Sequence, residues 1–200
     1  YIFEYLQKQV KQKNLSIINK DALLLIPSLE VTSPFKVISN LPYNVASPVI
    51  ISLLTVCPTL PEKMILMVQK EVAQRLIAEP GDSNRGIMTV YLELFTNVTI
   101  IEKLLPDQFY PPPKVESAVV LFDDIKMPDV NRKKAFRIIK MGFAKKRKKL
   151  KNSLFASLKI SGDRMSEICK KAGITPDLRA EDLNIDQWRV LIDQVLDSNY

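Results

Sequence analysis

The chain has 200 residues, 46% of them apolar, with 29 Lys and Arg against 22 Asp and Glu, enough for one domain with an appendage or for two small domains. It contains no histidine and only two cysteines, which excludes Ser-His-Asp and Cys-His hydrolysis and zinc centres built on His or Cys, so no metal is expected. No apolar run reaches the roughly 18 residues of a membrane span, Tyr1 to Val10 has no basic segment ahead of an apolar one, and Cys57 and Cys169, far apart in apolar stretches, read as free thiols of a reducing intracellular setting.

Residues 2–12 carry an amphipathic pattern (Ile2, Phe3, Leu6, Val10) that predicts a helix already under way at the first residue, so a natural N-terminus is expected upstream of Tyr1. Leu15 to Ile18 predicts a short strand. Asp21-Ala22-Leu23 then leads into a proline-containing loop. Phe35 to Ile38 is apolar enough for a buried parallel strand and runs into Asn40-Leu41-Pro42-Tyr43. Ser47 before Pro48 predicts a capped helix from Pro48 to Val56. Met64 to Val68 is a second buried strand, followed by a helix from Lys70 to Ala78 that stops at Pro80-Gly81. Ile87 to Phe95 predicts another helix, Val98 to Leu104 a strand, and Ser117 to Phe122 a last strand beyond the proline-rich Tyr110 to Pro113. This alternation predicts a doubly wound α/β sheet.

Past Phe122 the pattern becomes helical: Arg132 to Phe143, Lys145 to Leu158, Arg164 to Ala172 and Gln187 to Leu196, with Gly173 as a C-terminal cap and Asn184 with Gln187 as a capping box. Two domains are expected, an α/β domain over 1–126 and an all-helical one over 127–200. Charge follows the same division. Residues 1–126 hold 12 Lys and Arg against 13 Asp and Glu, a net of −1, whereas residues 127–200 hold 17 against 9, a net of +8. The densest part, Lys145, Lys146, Arg147, Lys148, Lys149 and Lys151, has the electrostatic footprint of phosphate binding. The same run reads equally well as a solvated helix face, and less well as a localisation signal.

Ligands of open α/β sheets lie beyond the carboxyl ends of the strands, and Asn40-Leu41-Pro42-Tyr43 lies at such an end. The Asn40 side-chain carbonyl and the Leu41 main-chain carbonyl can accept hydrogen bonds from an exocyclic amine, Pro42 stiffens the turn, and Tyr43 can stack on a base. The alternative is a strand-to-helix turn with a buried tyrosine. Phe109, on a loop braced by Pro111 to Pro113, can supply a second aromatic to clamp the same base, or can simply cover the core. Read together, the two aromatics and the two carbonyls suit a flat base that bears an amino group and is free to enter a stacking clamp.

Six collinear stretches carry a resemblance. Asp21-Ala22-Leu23, Asn40-Leu41-Pro42-Tyr43-Asn44, Gln69-Lys70-Glu71-Val72, the stretch from Phe109 to Val119, the stretch from Phe143 to Leu154, and Leu178 to Leu183 occur in the order and approximate spacing of the ribosomal RNA small-subunit adenine dimethyltransferases. The chain resembles that family, of the kasugamycin-sensitivity methylase type with its eukaryotic and mitochondrial relatives, over nearly its whole length. The resemblance implies a Rossmann-like class I methyltransferase sheet with a small helical C-terminal domain, S-adenosylmethionine as cofactor, and N6,N6-dimethylation of adenines in small-subunit ribosomal RNA. It implies that Asp21 and the Ala22 main chain contact the cofactor's adenine, and that Asn40 serves both cofactor and substrate. Leu41, Tyr43 and Phe109 complete the catalytic set, and the basic tail holds the pre-ribosomal particle. A monomer is expected, in the bacterial cytoplasm or in the nucleus, nucleolus or mitochondrion of a eukaryote. One departure stands out. The family's glycine-rich loop and the acidic residue that binds the cofactor ribose have no counterpart, since the five glycines are Gly81, Gly86, Gly142, Gly162 and Gly173. The sheet is therefore expected to be incomplete at its N-terminal side, and the 200 residues alone to be inactive. Two competing readings are a noncatalytic RNA-binding assembly factor and a DNA adenine methyltransferase.

Overall fold

Aliphatic runs bounded by turn residues make the four strands of a single sheet. The computed structural model describes residues 2–31, 34–145 and 147–197. Strands β1 (Lys36–Asn40), β2 (Lys63–Gln69), β3 (Asn97–Leu104) and β4 (Ser117–Asp123) lie in the order β1-β2-β4-β3. Helix α3 (Ala46–Thr55) makes the crossover that lets β1 and β2 run parallel. β4 is antiparallel to both β2 and β3. The sheet is thus mixed, because residues 105–116 join β3 to β4 without an α-helix that could carry the chain back. Every second residue of β2 and β4 is fully buried, including Met64, Leu66, Val68, Ala118, Val120 and Phe122, as a strand covered by helices requires.

Helices α1 (Ile2–Gln9) and α2 (Ala22–Leu25) precede the sheet, and α4 (Lys70–Leu76) and α5 (Ile87–Glu93) connect β2 to β3. Beyond β4 the described regular elements are all helical: α6 (Arg132–Gly142), α7 (Leu154–Leu158), α8 (Gly162–Lys171) and α9 (Ile185–Leu196), with short 3-10 turns between them. α6 packs on α3 and α5, and α9 on α5 and α6. The apolar face of the tail (Ile138, Ile139, Trp188, Leu191) therefore continues the core of the sheet helices as one cluster. No described helix is long and apolar enough to cross a membrane.

Several local expectations need correction. Leu15 to Ile18 form no strand; Leu15 and Ile18 are exposed and no neighbouring strand offers the hydrogen bonds a short apolar run needs. α3 begins two residues early, with Val45 at the cap position and no side-chain cap. Pro48 then falls inside the first turn, where its missing N–H costs nothing. The continuous helix expected over residues 145–158 is broken. Arg147 takes a left-handed backbone (φ 63°), and the N–H groups of Leu150 and Lys151 donate to the carbonyls of Leu178 and Pro176 at 2.8 and 3.1 Å. The backbone of the basic run is thus drawn to the 176–179 loop, leaving only a 3-10 turn over Leu150–Asn152 and the short α7. The caps near the C-terminus follow expectation: Asn184 and Gln187 exchange side-chain to backbone bonds at 2.9 and 3.0 Å, and Gly173 has φ 63° after α8.

Candidate active site

Strand register sets the place of the site. Asn40 pairs with Met67, Met67 with Val119, Gln69 with Ser117, and Ser117 with Leu104. The carboxyl ends of β1, β2 and β3 and the amino end of β4 therefore share one rim of the sheet. Asn40, the last residue of β1, is exposed there, while the Leu41 side chain is buried and anchors the loop that follows. Tyr43 is half-buried in that loop, and its hydroxyl lies 2.8 Å from the Ser117 hydroxyl at the start of β4. The start of α4, which follows β2 directly, is tied to the same point: the Lys70 N–H donates to the Glu116 carbonyl at 3.0 Å, and the Lys70 ammonium meets both Glu116 carboxylate oxygens at 3.0 and 2.9 Å.

Phe109 lies on the connection between β3 and β4, so it emerges on the same rim. It is half-buried, and its N–H closes the 3-10 turn Pro106–Gln108 on the Pro106 carbonyl at 3.2 Å. Its ring does not stack on Tyr43. The next ring, Tyr110, precedes a cis peptide bond to Pro111 and is fully exposed. Asp21 acts locally, where its Oδ1 accepts from the Leu23 N–H at 2.8 Å and caps α2. Ala22 is the exposed first residue of that helix, which packs against α3. No hydrogen bond joins Asp21 or Ala22 to the Asn40–Tyr43 loop among the described residues.

The basic tail divides in two. Lys145, Arg147 and Lys148 are exposed, and Lys146 lies outside the described residues. Lys149 and Lys151 instead hold Asp177 Oδ1 at 3.3 and 2.8 Å, and hydrogen bonds from Lys151 and Lys149 lower the Asp177 carboxyl below its ordinary value. Their place in the basic run gave no sign of this, because the partner is 26 residues away from Lys151 in sequence. Ser117, Lys70 and Glu116 lie on the same rim, and sequence reasoning did not single them out. They lie inside the resembling stretches, but their pairing with the loops opposite becomes visible only in the register. At the other end of the sheet is a cavity of about 440 Å³ lined by Phe95, Asn97, Asp124, Lys126, Arg189 and Asp193 among others. None of Asn40, Tyr43 or Phe109 borders it.

The sequence pattern of the family "Ribosomal RNA adenine dimethylase" matches residues 1–196. The chain belongs to the ribosomal RNA adenine dimethylase family. A "Ribosomal RNA small subunit methyltransferase A" of Clostridium botulinum (strain Okra / Type B1) is 37% identical over 199 residues, which cover 96% of this chain and 71% of the relative. One of the same name from Nostoc punctiforme is 36% identical over 205 residues with the same coverage. Among solved structures, a dimethyladenosine transferase from Plasmodium falciparum superposes with a TM-score of 0.68 at 26% identity, over 94% of this adenine dimethylase chain and 74% of that one. The 23S rRNA methyltransferase ErmE shares the fold with a TM-score of 0.64 at 21% identity, over 96% of this chain and 75% of that one.

Proposed function

We propose that this protein dimethylates the exocyclic amines of adenines in small-subunit ribosomal RNA, and that the rim bearing Asn40, Leu41, Tyr43 and Phe109 receives the target base. The observation that carries the reading is the shared rim. A polar residue at the end of β1 and aromatics from two separate connections emerge on one side of one sheet, fastened by the Tyr43–Ser117 bond.

S-adenosylmethionine, when bound, supplies a methyl group on a sulfonium. The residues present fit part of it: only Oδ1 of Asp21 is used in capping α2, and Asn40 is exposed at the strand end. A glycine-lined turn between strand and helix, which lets a backbone approach a cofactor closely, has no counterpart on this rim. An adenine amine is a weak nucleophile because its lone pair is delocalised into the ring. The Asn40 side-chain carbonyl and the Leu41 main-chain carbonyl accept its two N–H bonds and hold the lone pair out of conjugation, an effect of alignment and electrostatics. Tyr43 offers its ring face to the base, since its hydroxyl is already bonded to Ser117. Phe109 provides the second aromatic surface. Once the amine has gained one methyl group and released one proton to solvent, a single N–H remains, and one acceptor is enough to hold it for the second.

On this reading residues 1–126 perform methyl transfer and residues 127–200 hold the RNA or pre-ribosomal particle, with the protein acting as a monomer inside the cell where small subunits are assembled. The test is a methylation assay on unmodified small ribosomal subunits with full-length protein and its Asn40→Ala variant. Loss of a preorganised hydrogen-bonding group at the reacting atom lowers turnover by about 100-fold or more, the scale found when an oxyanion-hole donor is removed. Equal labelling by both proteins removes Asn40 from the mechanism, and RNA binding without any labelling by the wild type favours a noncatalytic assembly factor.

A further inference from the structure

Helix α6 carries an arrangement of charge that the fold does not account for. Of its 11 residues (RKKAFRIIKMG) none is acidic. Lys133, Lys134, Arg137 and Lys140 are exposed, while Ala135, Ile138, Ile139 and Gly142 face the core. Lys133, Arg137 and Lys140 follow the i, i+4, i+7 spacing of a single stripe about 10 Å long, with Lys134 beside it. None of the four has an ion-pair partner among the described residues. Two rules of helix stability are broken together. Lys133 and Lys134 lie in the first turn, where the helix dipole disfavours cations, and the like charges at i, i+4 and i, i+3 repel. Arg132 in the same turn serves the fold, donating to the Leu54 and Cys57 carbonyls at 3.2 and 3.1 Å. The four exposed cations that follow it make no such bond among the described residues. The stripe also points along α6 toward the exposed Lys145, Arg147 and Lys148, whereas the cations at the far end of the basic run, Lys149 and Lys151, are held by Asp177.

We propose that Lys133, Arg137 and Lys140, flanked by Lys134, form a phosphate-binding stripe that grips the ribosomal RNA backbone. The principal RNA-holding surface thus runs along α6 into Lys145 and stops short of Lys149. The inference rests on the ribosomal RNA reading given above. A polyanion is the occupant that charge complementarity selects: it supplies the missing counter-charge over the whole stripe and turns the repulsion into binding. Sequence-independent backbone contact is the expected mode, since lysine and arginine side chains on a convex helix face meet phosphates first.

The test measures binding of full-length protein to an unmodified small-subunit ribosomal RNA transcript as a function of salt. Each lost phosphate contact flattens the slope of log K against log salt by about 0.7 to 0.9, so the triple variant Lys133→Gln/Arg137→Gln/Lys140→Gln has a slope shallower by about 2 to 3. The double variant Lys149→Gln/Lys151→Gln, whose two ammoniums share the single negative charge of Asp177 and so carry a net +1 with it, changes the slope less. The triple variant melts at or above the wild-type temperature, because repulsion has been removed. An unchanged slope with wild-type binding intact overturns the stripe while leaving the ribosomal RNA reading in place. Absence of salt-dependent RNA binding by the wild type overturns both. A lower melting temperature with an unchanged slope assigns the cations to the fold, and tighter binding to phosphatidylglycerol vesicles than to RNA replaces the proposed partner by a membrane surface.

Discussion

The hydroxyls of Tyr43 and Ser117 lie 2.8 Å apart although 74 residues separate them in sequence. Ser117 is fully buried as the first residue of β4, and among the described residues this is the one hydrogen bond its hydroxyl makes. Tyr43→Phe therefore leaves a buried hydroxyl without a partner, at about 1 to 3 kcal/mol of stability, while keeping the ring proposed to stack on the base. Tyr43→Ala removes the ring as well and costs a further factor in base binding, worth about 1 to 3 kcal/mol per stacked base. Urea denaturation together with methyl-transfer kinetics on full-length protein separates the two effects. If Tyr43→Phe abolishes turnover with stability intact, the hydroxyl takes part in the chemistry and the present assignment is wrong.

Most of this rim was legible in the sequence because its parts are local. Asn40 closes an apolar strand, and Phe109 precedes a proline-rich turn into another; composition alone places the first at a strand end and the second on a loop between strands. What was not legible is pairwise. Ser117 meeting Tyr43, Lys70 meeting Glu116 and Asp177 meeting Lys149 and Lys151 depend on register and on loops that return from far along the chain. The helix expected over residues 145–158 failed for the same reason: its pattern is helical, but the backbone of Leu150 and Lys151 bonds to the 176–178 loop. The stripe on α6 is present in the spacing of Lys133, Arg137 and Lys140, yet charge density alone favours the run beside it; only the ion pairs of Lys149 and Lys151 tell committed cations from uncommitted ones.

A buried charge holds the sheet helices to the tail. The Arg85 side chain is fully buried and meets both Glu93 oxygens at 2.6 and 2.7 Å, the Ala78 carbonyl at 2.9 Å and the Leu183 carbonyl at 3.1 Å. It thus joins the end of α4, α5 and the turn before α9. Glu93→Gln leaves the guanidinium without its counter-charge and is expected to cost about 3 kcal/mol, the low end for breaking a buried pair because Glu93 is one-third exposed. Replacing both residues together, Arg85→Met with Glu93→Leu, costs less than the single change. Urea midpoints of the three proteins check this, and a loss below about 1 kcal/mol for Glu93→Gln would show that water reaches Arg85.

Stability should fall in alkali. Burial pushes the Tyr91 hydroxyl up to about 12, against the opposing effects of the Thr55 hydrogen bond and the Arg132 charge, and burial raises the Cys57 and Cys169 thiols as well. For a group whose folded value is raised, stability is fully present below the unfolded value and is lost as pH rises through the folded one. The tyrosine contribution therefore declines from about pH 10 upward, with the thiols declining in the same direction from lower pH. Tyr91→Phe lowers stability at neutral pH by removing the acceptor for Thr55 but flattens the decline between about pH 10 and the raised folded value. Equilibrium unfolding of both proteins at about pH 8, 10 and 11, on either side of the ordinary tyrosine value, reads this directly, and parallel curves would contradict it.

Two glycines in the tail provide a matched pair. A methyl group on Gly142, near the end of α6, would lie 2.6 Å from the Trp188 Cη2 atom. The Trp188 indole cannot easily withdraw, because its ring stacks on Phe143 at 6.0 Å and its N–H donates to the Ala180 carbonyl at 3.2 Å. Gly162, at the start of α8, has open space where a methyl group would sit. Alanine is the better helix former at both positions by up to about 1 kcal/mol, so propensity alone predicts that both substitutions stabilise. Packing reverses the sign at one of them: Gly142→Ala is expected to lose about 1 to 3 kcal/mol through overpacking, while Gly162→Ala gains a few tenths to about 1 kcal/mol. Thermal melts of the two variants against the wild type decide the matter, and a stabilising Gly142→Ala would mean that the α6–α9 contact is looser than the Gly142–Trp188 approach requires.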